Sequence, residues 1–312
     1  MSLTEQDQPE SAETRVSGLQ RRDVLQLLAA SAVAVAVPAN TQASPTQGAK
    51  TMQRAKPMPV IFAAHGNPMF MDDALFMREL HDWAEKMPKP KAVLMISAHW
   101  EQKPLTIGAV KTVPLIYDFY GFPQRYYQVK YAAPGAPALA QRVRDLLQGA
   151  GIAHKEAPDR GLDHGAYVPM VCMYPQADVP VLQISLPSMN PQENFEVGLA
   201  LAPLRKEEVL IIGAGFLTHN LRTFVPGANP PVAKWAAEFD EWAEKTIAKR
   251  DFTSLINYRS LAPNVQMALP THEHFVPVLV AAGASAEHTE SVAFPITGYM
   301  AGTFTKRSVQ FG

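Results

Sequence analysis

Residues 92–99 read Ala-Val-Leu-Met-Ile-Ser-Ala-His, an apolar run that ends in a histidine. A run of this length and composition predicts a buried strand that leads into a loop. Similar runs at 60–64 and 209–213 precede His65 and His219. In open α/β sheets, ligands bind beyond the carboxyl ends of the strands. We therefore expect these three segments to deliver their imidazoles to one edge of a sheet.

Strand-like runs and helical patterns alternate along the rest of the chain. Apolar residues share one helical face in three segments, and a further helix over 275–282 is predicted to end at Gly283. This alternation predicts a single α/β domain, residues 58–312, in which helices flank a largely parallel central sheet. The three helical faces begin near Leu75, Leu139 and Val232, and the predicted strands are 59–64, 92–98, 105–109, 179–186 and 209–213, with a C-terminal pair near 298–304 and 308–311.

The composition of the chain limits the classes of partner and site. Of 312 residues, 28 are basic and 29 acidic, so the formal net charge of −1 gives no indication of a nucleic-acid partner. The one cysteine, Cys172, lies in an apolar stretch and is predicted to be a buried core thiol. One cysteine excludes an intramolecular disulfide and a cysteine-rich zinc site. Gly213 and Gly215 lack the third glycine of a dinucleotide-binding fingerprint.

The N-terminal segment has the pattern of an export signal. Arg21 and Arg22 precede an apolar stretch, and no charged residue occurs over 24–49. Paired arginines, an apolar region of modest length and small residues such as Ala43 at its end predict a twin-arginine signal peptide over residues 1–43. Residues 44–57 are then a short extension before the domain. The signal predicts a periplasmic protein with no stable membrane insertion after cleavage.

Two more histidines stand in motifs suited to a site. His164 lies in Gly-Leu-Asp-His-Gly, where Asp163 is expected to orient the ring; the alternative is an ordinary surface turn. His272 and His274 lie two residues apart and cannot share a helix face, so at most one is expected to face the site. We favour His274, because it leads into an apolar helix. Imidazole binds zinc, iron, copper and nickel, so histidines placed in this way indicate a shared metal site.

Residues 117–127 contain six aromatic side chains in eleven positions. Two interpretations stay open for this stretch. It is either a well-packed surface loop or an aromatic lid over a planar substrate. In the second interpretation Tyr120 contacts the substrate, and Arg125 is available for a substrate carboxylate.

The motifs together carry a family resemblance. The motifs are His-Gly-Asn-Pro at 65–68, Ser-Ala-His-Trp-Glu at 97–101, Tyr-Asp-Phe-Tyr-Gly-Phe-Pro at 117–123, Arg-Gly-Leu-Asp-His-Gly-Ala-Tyr-Val-Pro at 160–169, Gly-Ala-Gly-Phe-Leu-Thr-His-Asn-Leu-Arg at 213–222 and Glu-His-Phe at 273–275. With these motifs in this order, the chain resembles the 4,5-DOPA extradiol dioxygenase-like branch of the class III extradiol ring-cleavage dioxygenases over about 58–312.

The resemblance implies a mononuclear non-haem metal site in a single α/β domain. It makes His65, His99 and His274 metal ligands, and His219 either an acid/base or an additional ligand where zinc is bound. His164 becomes a second active-site histidine. The broader class uses two histidines and a carboxylate. An all-histidine set suits Zn(II) as well as Fe(II), so the metal is expected to be one of these two. The remaining histidines, His81, His154, His272 and His288, are expected to lie outside the site.

The activity implied by the resemblance is insertion of O₂ into the catechol-type ring of a DOPA-like substrate, which gives a ring-opened semialdehyde. In this hypothesis His219 removes a hydroxyl proton, and His164 or His219 protonates the departing oxygen. One alternative is a zinc-dependent hydrolase on the same scaffold, with zinc-bound water as the nucleophile. The other is a non-catalytic binding protein, because a fold does not fix a function.

Overall fold

A computed structural model describes residues 56–224 and 230–312 of the chain. The predicted signal peptide, residues 1–43, and residues 44–55 of the predicted extension lie outside the described residues. Among the described residues, no helix is both long enough and apolar enough to span a membrane.

The strands form one large sheet and one small hairpin. The strands are β1 (Val60–Ala64), β2 (Ala92–Glu101), β3 (Leu105–Ile107), β4 (His154–Glu156), β5 (Val181–Leu186), β6 (Val209–Gly215), β7 (Val292–Ala293), β8 (Tyr299–Met300), β9 (Phe304–Thr305) and β10 (Val309–Phe311). Across the large sheet the strand order is β4-β3-β5-β2-β6-β1-β10-β7, and β8 pairs with β9 alone.

The centre of the large sheet is parallel, as predicted. Strands β5, β2, β6 and β1 run in the same direction, with Val93 opposite Val181 and Leu210, and Ile61 opposite Ile212. Antiparallel pairs occur towards the two margins, between β3 and β5 and among β1, β10 and β7. Every residue of β1, β5 and β6 is buried, because helices cover both faces of the sheet.

Side chains alternate between two apolar layers. Val60 and Phe62 of β1 face one core layer, whereas Ile61 and Ala63 face the other. The helices are α1 (Ala74–Glu85), α2 (Pro137–Gly149), α3 (His164–Met173), α4 (Pro191–Leu201), α5 (Lys234–Ala248), α6 (Phe252–Ile256), α7 (Tyr258–Leu261), α8 (Val265–Ala268) and α9 (Val276–Ser285). The first layer contains α2, α4, α5 and α9, and the second contains α1 and α3.

The prediction that a helix ends at Gly283 was wrong, because α9 continues to Ser285. Gly283 instead allows α9 and α4 to pack closely. A Cβ at this position would lie 2.0 Å from the carbonyl oxygen of Phe195. The glycine therefore serves helix packing rather than a helix C-cap. Cys172 is buried, as predicted, in the layer that contains α3.

The C-terminal part of the chain differs from the predicted pair of strands. The region predicted as one strand over 298–304 is instead the β8–β9 hairpin. The hairpin is anchored to α5, where Asp240 accepts hydrogen bonds from the hydroxyl of Thr305 at 2.8 Å and from the guanidinium of Arg307 at 2.7 and 2.8 Å. These groups are buried, so the pairing compensates the charge that burial would otherwise leave unsatisfied. The anchor fixes the hairpin beside the carboxyl end of the sheet.

Candidate metal centre

Two strand ends bring the first pair of imidazoles together. His65 follows β1 directly, and its backbone N–H donates to the carbonyl of Gly215 at the end of β6, at 3.3 Å. His99 lies near the end of β2, on the other side of β6. The Nε2 atoms of His65 and His99 lie 3.1 Å apart. The sheet order therefore places these two nitrogens at one point, as the sequence predicted.

His274 joins them from the turn that precedes α9. Its carbonyl accepts a hydrogen bond from the backbone N–H of Phe216 at 2.9 Å. This approach requires Gly215, because a Cβ there would lie 2.0 Å from the same carbonyl oxygen. One ring nitrogen from each of His65, His99 and His274 lies within 4.8 Å of the other two. The three imidazoles thus form a compact set of donors.

The electrostatics of the set favour neutral imidazoles. Burial, followed by the neighbouring imidazoles, holds the pKa values of His65 and His274 well below their usual range. Burial and His164 lower the pKa of His99 to about 3, against the opposing effect of Asp118. In addition, Nδ1 of His65 is buried and has no hydrogen-bond partner among the described residues. Neutral imidazole is the form that binds metal ions, so the donor set fits one transition-metal ion.

His219 and Glu273 flank His274. The ring of His219 stacks on that of His274 with centroids 3.5 Å apart, and burial lowers its pKa to about 4 although Glu273 opposes the shift. Oε1 of Glu273 lies 3.1 Å from Nδ1 of His274, so the carboxylate can hold a proton on Nδ1 and leave Nε2 free for a metal. A ring nitrogen of His219, a ring nitrogen of His274 and a carboxylate oxygen of Glu273 lie within 4.8 Å of one another, and His219 is outside the group of His65, His99 and His274.

His164 is oriented by an aspartate that the sequence reasoning did not identify. Its backbone N–H and ring Nδ1 lie 3.0 and 2.9 Å from Oδ1 of Asp118. Burial alone would raise the pKa of Asp118, but hydrogen bonds from His164 outweigh it and lower the pKa. Asp163, the expected partner, instead caps α3 and bonds to Gln183 and Arg160. His164 is buried at the start of α3, which excludes the surface turn.

The imidazoles line a cavity of about 550 Å³. Tyr120 lies at this cavity with 93% of its surface exposed, and its contact with a substrate stays a prediction. Arg125 is not brought to the cavity, because it pairs with Asp72 at 2.7 Å and with the hydroxyl of Tyr126 at 2.9 Å. The phenylalanine side chains of the wall are Phe119, Phe122, Phe216, Phe224 and Phe304.

The other histidines lie apart from this cavity, as predicted. His272 packs against Tyr258, with ring centroids 5.5 Å apart, although it is only two residues from His274. His81, His154 and His288 are likewise absent from the cavity lining. The structure therefore separates His272 from His274, as their spacing required.

Comparison with known proteins agrees with this geometry. Residues 58–305 match the family described as the catalytic LigB subunit of aromatic ring-opening dioxygenase. A protein named 4,5-DOPA dioxygenase extradiol from Beta vulgaris is 45% identical over 236 residues, which cover 74% of this chain and 88% of that protein. A protein of the same name from Escherichia coli K12 is 36% identical over 261 residues, 82% of this chain and 95% of that protein.

A solved structure extends the likeness to the fold. The crystal structure of an uncharacterized protein from Escherichia coli K12 superposes with a TM-score of 0.70 at 33% identity, and the match covers 82% of this chain and all of that one. The family match spans most of the described domain, including every imidazole of the cavity. The chain therefore belongs to the LigB family, the catalytic subunits of aromatic ring-opening dioxygenases.

Proposed function

We propose that this chain is an extradiol dioxygenase that opens a single-ring catechol with O₂ and releases a ring-opened semialdehyde. The observation that carries the proposal is the convergence of three neutral imidazoles in a cavity of about 550 Å³ with aromatic walls. This volume lies within the usual range for small-molecule sites. A flat aromatic ring can pack against such walls while its two hydroxyls face the imidazoles.

We propose Fe(II) as the metal, held by His65, His99 and His274. Three imidazoles suit Zn(II) or Fe(II), but Zn(II) has no redox chemistry, and the ring opening of this family consumes O₂. When bound, the metal ion would supply Lewis acidity toward the catechol hydroxyls and a redox centre for O₂. Glu273 accepts the Nδ1 proton of His274 and so keeps the other ring nitrogen available.

In this proposal His219 and His164 carry protons. Both rings line the cavity beside the candidate ligands, so either can accept a proton from a substrate hydroxyl and return it to an oxygen of the opened ring. The phenylalanines around them exclude water from this transfer. Tyr120 contacts the ring substituent, and the names of the relatives support a DOPA-like catechol as the substrate.

The test is metal loading followed by measurement of O₂ uptake. The full chain, loaded anaerobically with one equivalent of Fe(II), is expected to consume O₂ with catechol, 4-ethylcatechol or DOPA and to form a yellow product. The same protein loaded with Zn(II) is the matched control and should consume none. If the iron form is inactive across the panel and the zinc form hydrolyses an ester or amide without O₂, the hydrolase alternative replaces this proposal.

We also propose that the protein is exported to the periplasm by the twin-arginine route. The support is the pair Arg21-Arg22 before an uncharged apolar segment. In a bacterial host with this pathway, the periplasmic fraction should contain a shortened protein whose N-terminus follows Ala39 or Ala43. Replacing both arginines by lysine should leave the full-length chain in the cytoplasm. Uncleaved wild-type protein in the cytoplasm would contradict export.

A further inference from the structure

One carboxylate lies between two imidazoles that have different proposed roles. Oδ1 of Asp118 accepts the backbone N–H of His164 at 3.0 Å and lies 2.9 Å from its ring Nδ1. Oδ2 of the same residue lies 3.5 Å from Nδ1 of His99. The rings of His99 and His164 are themselves close, with centroids 3.9 Å apart. Asp118 therefore touches both a candidate metal ligand and a candidate proton carrier.

These contacts determine which ring nitrogens carry protons. A carboxylate oxygen can only accept, so Nδ1 of His164 must donate to Oδ1, and Nε2 remains as the only proton acceptor of that ring. The negative charge of Oδ2 likewise favours a proton on Nδ1 of His99. Nε2 of His99, which lies 3.1 Å from Nε2 of His65, is then left without a proton and free to bind a metal.

We propose that Asp118 is a positioning residue that fixes the tautomers of both His99 and His164, so that His99 offers Nε2 to the metal and His164 offers Nε2 to the substrate proton. The part that concerns His164 rests on the proposed ring-opening function. The part that concerns His99 rests only on the donor set. Asp118 thus couples the orientation of the metal site to the orientation of the proton carrier.

Asp118→Asn separates the effect on His99 from the effect on His164, because the amide oxygen can only accept a hydrogen bond and the amide NH₂ can only donate one. Two N–H groups of His164 meet Oδ1, so the amide oxygen must stay on that side. The amide NH₂ then faces Nδ1 of His99 and favours the wrong tautomer, with the proton on Nε2. Asp118→Ala removes the acceptor for both rings.

The first measurement is metal affinity, without turnover. Co(II) titration followed by absorption, with Zn(II) competition, should show binding to Asp118→Asn about 10- to 100-fold weaker than to wild type. Asp178→Asn is the matched control, because this exposed aspartate pairs with Lys89 outside the cavity lining. It should bind Co(II) like wild type. Thermal melts of the metal-free proteins establish that all variants are folded.

The second measurement is turnover at saturating Fe(II). Asp118→Asn keeps the acceptor for His164 and should retain a kcat closer to wild type than Asp118→Ala, with the KM for catechol changed much less than kcat in both. Co(II) binding to Asp118→Asn at wild-type affinity would overturn the proposal. A second metal equivalent that disappears in Asp118→Ala would overturn it too, because Asp118 would then be a ligand. If wild type shows no O₂ uptake but the affinity order holds, the proposed function fails and the role toward His99 stands.

Discussion

His274→Ala is expected to abolish stoichiometric metal binding and to lower ring-opening activity by more than about 100-fold. Loss of a residue that only hydrogen-bonds to a metal ligand lowers activity by up to about 100-fold, and loss of the ligand itself should lower it further. The substitution removes one of three clustered donors, and two imidazoles leave the ion with fewer protein ligands than catalytic sites of this kind use. The same change removes the stacking partner of His219. Metal content after desalting and O₂ uptake with Fe(II) measure the two losses.

His272→Ala is the matched control for this prediction. The two histidines are two residues apart, but His272 packs against Tyr258 and is absent from the cavity lining. His272→Ala should bind one metal equivalent and keep wild-type turnover. Equal losses in the two variants would show that the turn, and not the ring of His274, is responsible, and retention of metal by His274→Ala would remove His274 from the ligand set.

The metal-free protein is expected to lose stability steeply below about pH 6.5, the ordinary pKa of histidine. Burial holds the pKa values of His65 and His274 well below that value, and lowers those of His99 and His219 to about 3 and about 4. As the pH falls through 6.5, the unfolded chain takes up protons that the folded chain cannot. Each group then lowers the free energy of unfolding by up to about 1.4 kcal/mol per pH unit, and the four together by up to about 5.5 kcal/mol per pH unit.

Urea unfolding of the chelator-treated protein at pH 7, 6 and 5 measures this slope. Typical domains have free energies of unfolding of about 5–15 kcal/mol, so we expect the fold to be lost within a few pH units. His219→Gln should make the slope shallower by about 1.4 kcal/mol per pH unit. Metal-saturated protein should resist acid further, because only the folded state offers the assembled site. Equal unfolding free energies at pH 7 and pH 5 would contradict the prediction.

The sheet and the histidine cluster could be predicted from sequence because both follow from local patterns. Apolar runs mark the strands that precede His65 and His99, and the rule that strand ends form the site then brings the two rings together. Helix α3 was not predicted, because it is buried on all sides and shows no amphipathic period. Asp118 was missed for a different reason. It lies in a loop without periodicity, and Asp163, adjacent in sequence to His164, offered a nearer candidate.

Arg125 shows the limit of composition as a guide to a binding site. An arginine among six aromatic residues suggested a carboxylate partner, and it has one, but the partner is Asp72 of the protein itself. Because Arg125 and Asp72 are far apart in sequence, local sequence patterns do not indicate this ion pair. The aromatic part of the same stretch does reach the cavity, through Phe119, Tyr120 and Phe122.

The anchored C-terminal hairpin makes the order of the chain relevant to metal uptake. In sequence order, the first of the three imidazole donors is His65 and the last is His274. Phe304, which follows both in sequence, forms part of the wall of the cavity. Strand β1, which leads to His65, lies between β6 and β10, so its sheet neighbours come from segments synthesised much later. A ribosome-bound chain therefore has no fully assembled site until β10, Val309–Phe311, has been synthesised. We therefore expect metal to bind only after these segments have been synthesised. A truncation that removes the hairpin and β10 takes away a wall of the cavity together with a sheet neighbour of the strand that positions His65.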